Sequence, residues 1–336
     1  MSEAAITTLS GDLVGLTEIE AAAKRLRGVT LRTPLIKVAG DRRLDEGAAL
    51  RRPGGPVWLK CENRQPTGSF KIRGAYNMLA QLPPEARVSG VVTYSSGNHG
   101  QAVTFAAAYL RMRAVIVMPE TAPRVKVDGV RLHGGEVIFA GTTSVHRRAV
   151  AEAKAAAEGL TIVPPFDHRR IIAGAGTCGL EILAQCPDVT TVFVPVGGGG
   201  LISGVAAAIK GSGRAVRVIG VEPVEAAGMA ASHAAGRPVT LKGASSIADG
   251  LLPLRPADLT FAHVQALVDD LVMVDDGSIL DAVRWVFRET GMVVEPSGAA
   301  SVAAILQAGA SPSPGTVAIL SGSNVSPEDH ARYLKA

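Results

Sequence analysis

Short apolar runs alternate with longer amphipathic stretches along most of the chain, separated by loops of glycine, serine and proline. Val91–Tyr94, Ala114–Met118 and Glu136–Phe139, with 161–163 after them, read as strands. Apolar positions at helical spacing predict helices over 98–111, 123–132 and Ser144–Glu158 between and after them. The second half repeats the pattern: helix 173–184, strand 191–196, a glycine loop, a helix to 210 and strand 216–221. Residues 223–276 are broken by proline and glycine and predict only short elements. Helix 278–289, helix Pro296–Gln307 and strand 316–320 follow. Near the N-terminus, 1–16 carry no clear pattern, and 17–27 reads as a helix with Thr17 as N-cap and Glu20 three residues on. Residues 33–35 are an extended entry, 41–56 a helix end and loop, and 57–61 a short strand. Strands alternating with helices imply an α/β fold with parallel sheets covered on both faces.

A chain of 336 residues allows one large or two medium domains and a sizeable core. Apolar residues are 47% of the chain, which excludes disorder for most of it. Aromatics are only 4%, too few for stacking platforms on single-stranded nucleic acid. The net charge of +4 is spread over short pairs such as Arg42-Arg43 and Arg147-Arg148, which read as solvated faces; a phosphate-bearing small molecule suits so modest a charge better than a nucleic acid. The three cysteines, Cys61, Cys178 and Cys186, are odd in number with no C-x-x-C pair, so neither a disulfide framework nor a zinc site is expected. A reducing cytosol fits. No signal peptide is visible, and no apolar run reaches membrane-spanning length, Arg111 and Arg113 interrupting the best one.

Four stretches carry candidate chemistry. In Glu62-Asn63-Arg64-Gln65-Pro66-Thr67-Gly68-Ser69-Phe70-Lys71-Ile72-Arg73-Gly74-Ala75, a turn runs into a helix with Lys71 near its start. The positive end of a helix pushes a lysine toward its neutral, nucleophilic amine. A lone lysine would read as a solvated surface residue. Ser95-Ser96-Gly97-Asn98-His99-Gly100 follows a strand, where small residues free backbone N–H groups to face an anion; a simple helix cap is the other reading. Gly197-Gly198-Gly199-Gly200-Leu201, between a buried strand and a helix, lets the backbone approach phosphate oxygens; a tight turn seldom needs four glycines. It is not a Walker loop, since no Lys-Ser/Thr follows, and G-x-G-x-x-G is not met because Ile202 and Ser203 stand where glycine is required. Glu222 nevertheless has the spacing of a ribose-binding acid, which keeps a nicotinamide-dependent dehydrogenase open. Ser321-Gly322-Ser323-Asn324 follows the last strand and alone is a common turn.

Together these stretches resemble the serine/threonine dehydratase family of fold-type II pyridoxal-phosphate enzymes, which includes serine racemase. The resemblance runs from about residue 17 to 325 and includes Met118-Pro119-Glu120-Thr121-Ala122-Pro123 with Lys126, Ile247-Ala248-Asp249-Gly250 and Val294-Glu295-Pro296-Ser297-Gly298. It implies two parallel-sheet α/β domains, a small one over 76–162 inserted in a large cofactor-binding one made of 1–75 and 163–336. It implies pyridoxal 5′-phosphate as cofactor, with Lys71 forming the Schiff base and Phe70 packing against the ring. Gly197, Gly198, Gly199, Gly200 and Leu201 would hold the phosphate and Asn98 the ring oxygen. Ser95, Ser96, Gly97, Asn98 and His99 would hold the substrate carboxylate. Ser321 would hydrogen-bond the pyridine nitrogen; a neutral hydroxyl leaves that nitrogen unprotonated, which favours β-elimination over transamination. Glu295 would lie near the site.

The implied activity is dehydration of L-threonine, L-serine or a related β-hydroxy amino acid to a 2-oxo acid and ammonia, with freed Lys71 as the base at Cα. Racemisation is the alternative within the family, and Ser96 matches the serine proposed there as the second acid/base. β-Replacement and a pocket that only binds a ligand are weaker readings. Some relatives bind a divalent cation through an acid matching Glu222, a carbonyl near Ala226 and an acid two residues on; here that position is Gly228, so no metal is expected. Biosynthetic threonine dehydratases carry a C-terminal regulatory domain. With the chain ending at Ala336, isoleucine feedback of that kind is not expected. The implied setting is a cytoplasmic homodimer with a small amino-acid substrate and no nucleic-acid or membrane partner.

Overall fold

The computed structural model describes residues 13–39, 56–95, 97–307 and 313–335. The patternless residues 1–12 and most of the expected helix end and loop at 41–56 lie outside the described residues. In chain order the first part contains α1 (Leu16–Leu26), β1 (Leu35–Val38), β2 (Val57–Lys60), α2 (Lys71–Leu79), α3 (Pro84–Ser89), β3 (Val91–Tyr94), α4 (Asn98–Tyr109), β4 (Ala114–Met118), α5 (Arg124–Leu132), β5 (Glu136–Phe139), α6 (Ser144–Glu158) and β6 (Thr161–Ile162). The second adds α7 (Arg169–Gln185), β7 (Thr191–Pro195), α8 (Gly200–Gly211), β8 (Arg217–Pro223), α9 (Gly228–Ala235), α10 (Asp258–Leu267), β9 (Asp270–Val274), α11 (Asp276–Thr290), α12 (Pro296–Gln307), β10 (Thr316–Ile319) and α13 (Pro327–Lys335).

The strands form two sheets, one ordered β1-β2-β10-β7-β8-β9 and the other β5-β4-β3-β6. The smaller sheet lies in sequence between β2 and β7, an insertion into the larger fold. Its strands are parallel throughout. The larger sheet is parallel from β2 to β9, but β1 runs antiparallel on its edge. An antiparallel edge strand needs no helical crossover. One apolar cluster packs around β2, β10, α11 and α12 and includes the buried Trp285. A second joins β7 and β8 to α7, α8 and α10, and a third joins α2 to α4 and β4.

Several expected boundaries shift for identifiable reasons. Helix α1 begins at Leu16, capped by Gly15, and Glu18 rather than Glu20 reaches back, its carboxylate accepting the Gly15 N–H at 3.0 Å. Helix α7 starts at Arg169, four residues before the predicted start, because His168 Nδ1 accepts the Arg170 N–H at 3.1 Å and caps a polar first turn that reads as loop. The 223–276 region holds α9, α10 and the strand β9, which its proline and glycine breaks conceal. Helices α3 and α13 were also unpredicted, both opening on proline. At the α7–α8 crossing, a Cβ on Gly204 would lie 2.4 Å from the backbone of Gly176 and Ile172, so the helices meet at backbone contact.

A buried ion network lies beneath α2. The Arg73 guanidinium, 1% exposed, donates to Glu62 through Nε and Nη2, both at 2.7 Å. It also donates to Glu181, at 2.7 Å from Nη1 and 2.9 Å from Nη2. Lys60 Nζ adds a 2.5 Å contact to Glu181 and bonds to the Thr33 carbonyl and Gln185. Burial alone would raise the Glu62 pKa, but the Arg73 charge overrides it and holds the carboxyl below its ordinary value. Breaking such a network from one side leaves charge unpaired in the interior, at about 3–5 kcal/mol. Arg73→Met should therefore lower the folding free energy by about that amount in urea denaturation. A loss below about 1 kcal/mol would place the network in solvent.

Candidate active site

The four candidate stretches follow β2, β3, β7 and β10, at the carboxyl ends of parallel strands, where open α/β sheets bind ligands. Lys71 is the first residue of α2 and is partly buried. Its Nζ donates to the Pro165 carbonyl at 2.8 Å and lies 5.2 Å from the Phe70 ring centroid. Among the described residues it has no carboxylate in ion-pair range, and burial lowers its pKa to about 8. The cause is loss of water around an amine whose hydrogen-bond partner is a neutral carbonyl.

The glycine loop turns into α8 through Gly199, at φ +91°, and Gly198, Gly199, Gly200 and Leu201 are all buried. Among the described residues their N–H groups find no acceptor. Four buried donors at a helix start without partners are costly unless an anion occupies them. The opposite side of the loop is packed shut: a Cβ on Gly198 would fall 2.3 Å from the Phe166 ring, and one on Gly199 2.6 Å from Met229. Pro165 and Phe166 thus link the lysine to the loop, since one bonds Lys71 and the next residue abuts Gly198.

The 95–99 loop is built on β3. Ser95 N–H donates to Val117, and its hydroxyl accepts the Gly97 N–H at 3.0 Å. Ser96 lies outside the described residues. Asn98 opens α4, donating to Glu295 at 2.5 Å and accepting from Asn324 at 2.9 Å. His99 Nε2 is 3.2 Å from the Val163 carbonyl, while its Nδ1 is buried and, among the described residues, has no partner. Burial, with the Lys71 charge, lowers the His99 pKa to about 3, so the ring is neutral. Ser321 sits beside the lysine stretch: its carbonyl accepts the Phe70 N–H at 3.1 Å, and Ser69 pairs with Gly322. The Ser69 hydroxyl is likewise buried without a partner among the described residues.

These orphaned atoms and the glycine cradle fit a ligand carrying a phosphate and a polar ring, so the residues present suit pyridoxal phosphate. Sequence reasoning missed Pro165 and Phe166; their position at the carboxyl end of β6 was the available signal. It also left Asn324 without a role, although that residue ties Asn98 to the Thr67 carbonyl. Glu222 is not placed for a ribose. Its buried carboxylate accepts the N–H groups of Met229 and Ala230 at 2.8 and 2.7 Å, capping α9, and burial raises its pKa to about 7. Gly228, which cannot donate a side-chain ligand, is the first residue of that helix.

Residues 27–322 match the family described as pyridoxal-phosphate dependent enzyme, and the chain belongs to that family. Its fold is fold-type II, and it superposes on maize serine racemase with a TM-score of 0.86 and 36% identity, over 96% of this chain and 97% of that one. The L-threonine ammonia-lyase of Thermotoga maritima is 42% identical over 88% of this chain and 71% of its own length. A biosynthetic L-threonine dehydratase of Pasteurella multocida is 43% identical over 76% of this chain, but the match spans only 50% of that protein.

The lowered pKa gives a direct check. In the cofactor-free protein, reductive methylation of Lys71, read by peptide mass, should rise with pH through a midpoint near 8 rather than the ordinary 10.5. A midpoint at the ordinary value would mean that water reaches the amine.

Proposed function

We propose that the chain is a pyridoxal-phosphate-dependent ammonia-lyase that eliminates water from L-threonine, L-serine or a related β-hydroxy amino acid, releasing a 2-oxo acid and ammonia. The observation that carries this reading is an amine poised to be neutral, held by a carbonyl, between a cradle of backbone N–H groups and the neutral Ser321. When bound, the pyridoxal ring draws electron density from the substrate Cα and so acidifies its proton. The chain's own residues do the rest. Lys71 Nζ anchors the cofactor and, as a free amine, takes the Cα proton. Phe70 packs beside it. The N–H groups of Gly197, Gly198, Gly199, Gly200 and Leu201 hold the phosphate by dipoles. Asn98 holds the ring oxygen, and Ser95, Ser96, Gly97, Asn98 and His99 hold the substrate carboxylate. Ser321 offers the ring nitrogen a hydroxyl rather than a carboxylate, which keeps the electron sink weak and favours loss of the β-hydroxyl.

Racemisation is the second reading. The serine racemase likeness favours it, and Ser96 would be the acid/base on the opposite face. We also take 76–162 as a smaller domain and 1–75 with 163–336 as the larger. The strands of the smaller sheet fall inside the first range, although α2 crosses its boundary. The setting proposed is a cytoplasmic homodimer acting on a free amino acid. All three cysteines are free and buried, and among the described residues no helix is long and apolar enough to cross a membrane.

The test is a visible spectrum of wild type and Lys71→Ala with added pyridoxal phosphate, followed by L-threonine or L-serine. The expected result is a visible band present only in wild type, and 2-oxo acid formed from substrate at a rate at least about a thousand-fold above the variant. A band with no oxo acid but with D-amino acid formed would transfer the assignment to racemisation. No band in wild type would refute the cofactor reading.

A further inference from the structure

Lys126 belongs to α5, beside the smaller sheet, and is 3% exposed. Its ammonium crosses to the larger sheet's side of the site. Nζ lies 2.5 Å from Asp249 Oδ2 and 3.3 Å from Glu295 Oε2. Asp249 begins a short 3₁₀ turn whose Gly250 N–H donates to Ser297 of α12 at 2.9 Å, and Glu295 directly precedes the same helix. The two acids thus stand on separate elements that this bond joins. Burial works against the Lys126 charge, but the two acids outweigh it and hold the pKa above the ordinary lysine range, so the side chain stays an ammonium.

The stem of Lys126 has its own contact. A Cβ placed on Gly97 would lie 2.2 Å from Lys126 Cδ and 2.8 Å from Cγ, so Gly97 rests directly on the lysine's methylenes. Glu295 meanwhile accepts from Asn98, the next residue. One side chain thus supports Gly97 with its stem, and its head is clamped to the acid that holds Asn98.

We propose that Lys126 is a positioning residue, a latch by which Asp249 and Glu295 hold Gly97 and Asn98 in the register that binds the substrate carboxylate. The latch rests on the ammonia-lyase reading, since it concerns the ligand of those two residues. Without the ammonium clamp the stem swings freely and Gly97 loses its floor, so the loss falls on carboxylate affinity rather than on turnover at saturation.

The test uses the cofactor-loaded full chain with Lys126→Met, which keeps the stem and removes the ammonium. L-Alanine is the binding probe, because it carries the amino and carboxylate groups but no β-hydroxyl to lose. Its binding is read through the visible band. The expected result is an L-alanine Kd raised about ten-fold or more, KM for L-threonine raised in step, and kcat and cofactor Kd within about three-fold of wild type. The double variant Lys126→Met with Glu295→Gln leaves no unpaired carboxylate at position 295, and it should keep the weakened L-alanine binding. Recovery to the wild-type Kd would show that only unpaired charge was at fault and would overturn the latch. So would an unchanged L-alanine Kd in Lys126→Met, or a fall in kcat at constant KM. These outcomes differ from a wild type with no visible band, which overturns the ammonia-lyase reading itself and the latch with it.

Discussion

Arg73 is where this architecture is tied together. Its guanidinium joins the turn after β2, the body of α2 and the side of α7 through the buried Glu62 and Thr177 and the partly buried Glu181. Two cations and two carboxylates nearly cancel there, which makes burial tolerable, and the planar fork fixes direction as well as distance. Lys71 is two residues before Arg73 on the same helix. A helix so anchored cannot roll, so the lysine's amine is held against the Pro165 carbonyl. The product of the network is an orientation.

Charge is distributed to match. The ion pairs with a buried partner sit below the site, in the Arg73 network, or at its rim, in the Lys126 cluster. Between them lie an amine that burial pushes toward neutrality, a neutral imidazole, hydroxyls and bare N–H groups. An anion placed there would be held by dipoles rather than by countercharges. That leaves the Lys71 amine without a carboxylate that would hold it protonated, the condition a nucleophile and base requires.

The residues between β6 and α7 show how much of the site escapes motif reading. Val163 meets His99, Pro165 meets Lys71 and Phe166 meets Gly198, so one short segment touches three of the candidate groups. None of the three is a chemical residue, and two contribute only a carbonyl. A backbone oxygen has no signature in a sequence. Asn324 was hidden for a related reason: a serine-asparagine turn is common, and only its distance to Asn98 distinguishes this one.

What the sequence determined by itself is local or repetitive. Strand–helix alternation requires a parallel α/β fold because each buried strand must be a short apolar run. A four-glycine turn before a helix declares an approach of backbone to anion. The motif around Lys71 declares the family. What only the tertiary structure decided depends on distant residues meeting. The Lys71 pKa falls through burial, because desolvation is a property of everything packed around the amine. Glu222, spaced for a ribose, instead caps α9, because two backbone N–H groups at 2.8 and 2.7 Å claim its carboxylate. Lys126 and Asp249, 123 residues apart in the chain, become partners only when the smaller sheet is folded against the larger. Local pattern is written in neighbouring residues, whereas desolvation and long-range ion pairing exist only once the chain has closed on itself.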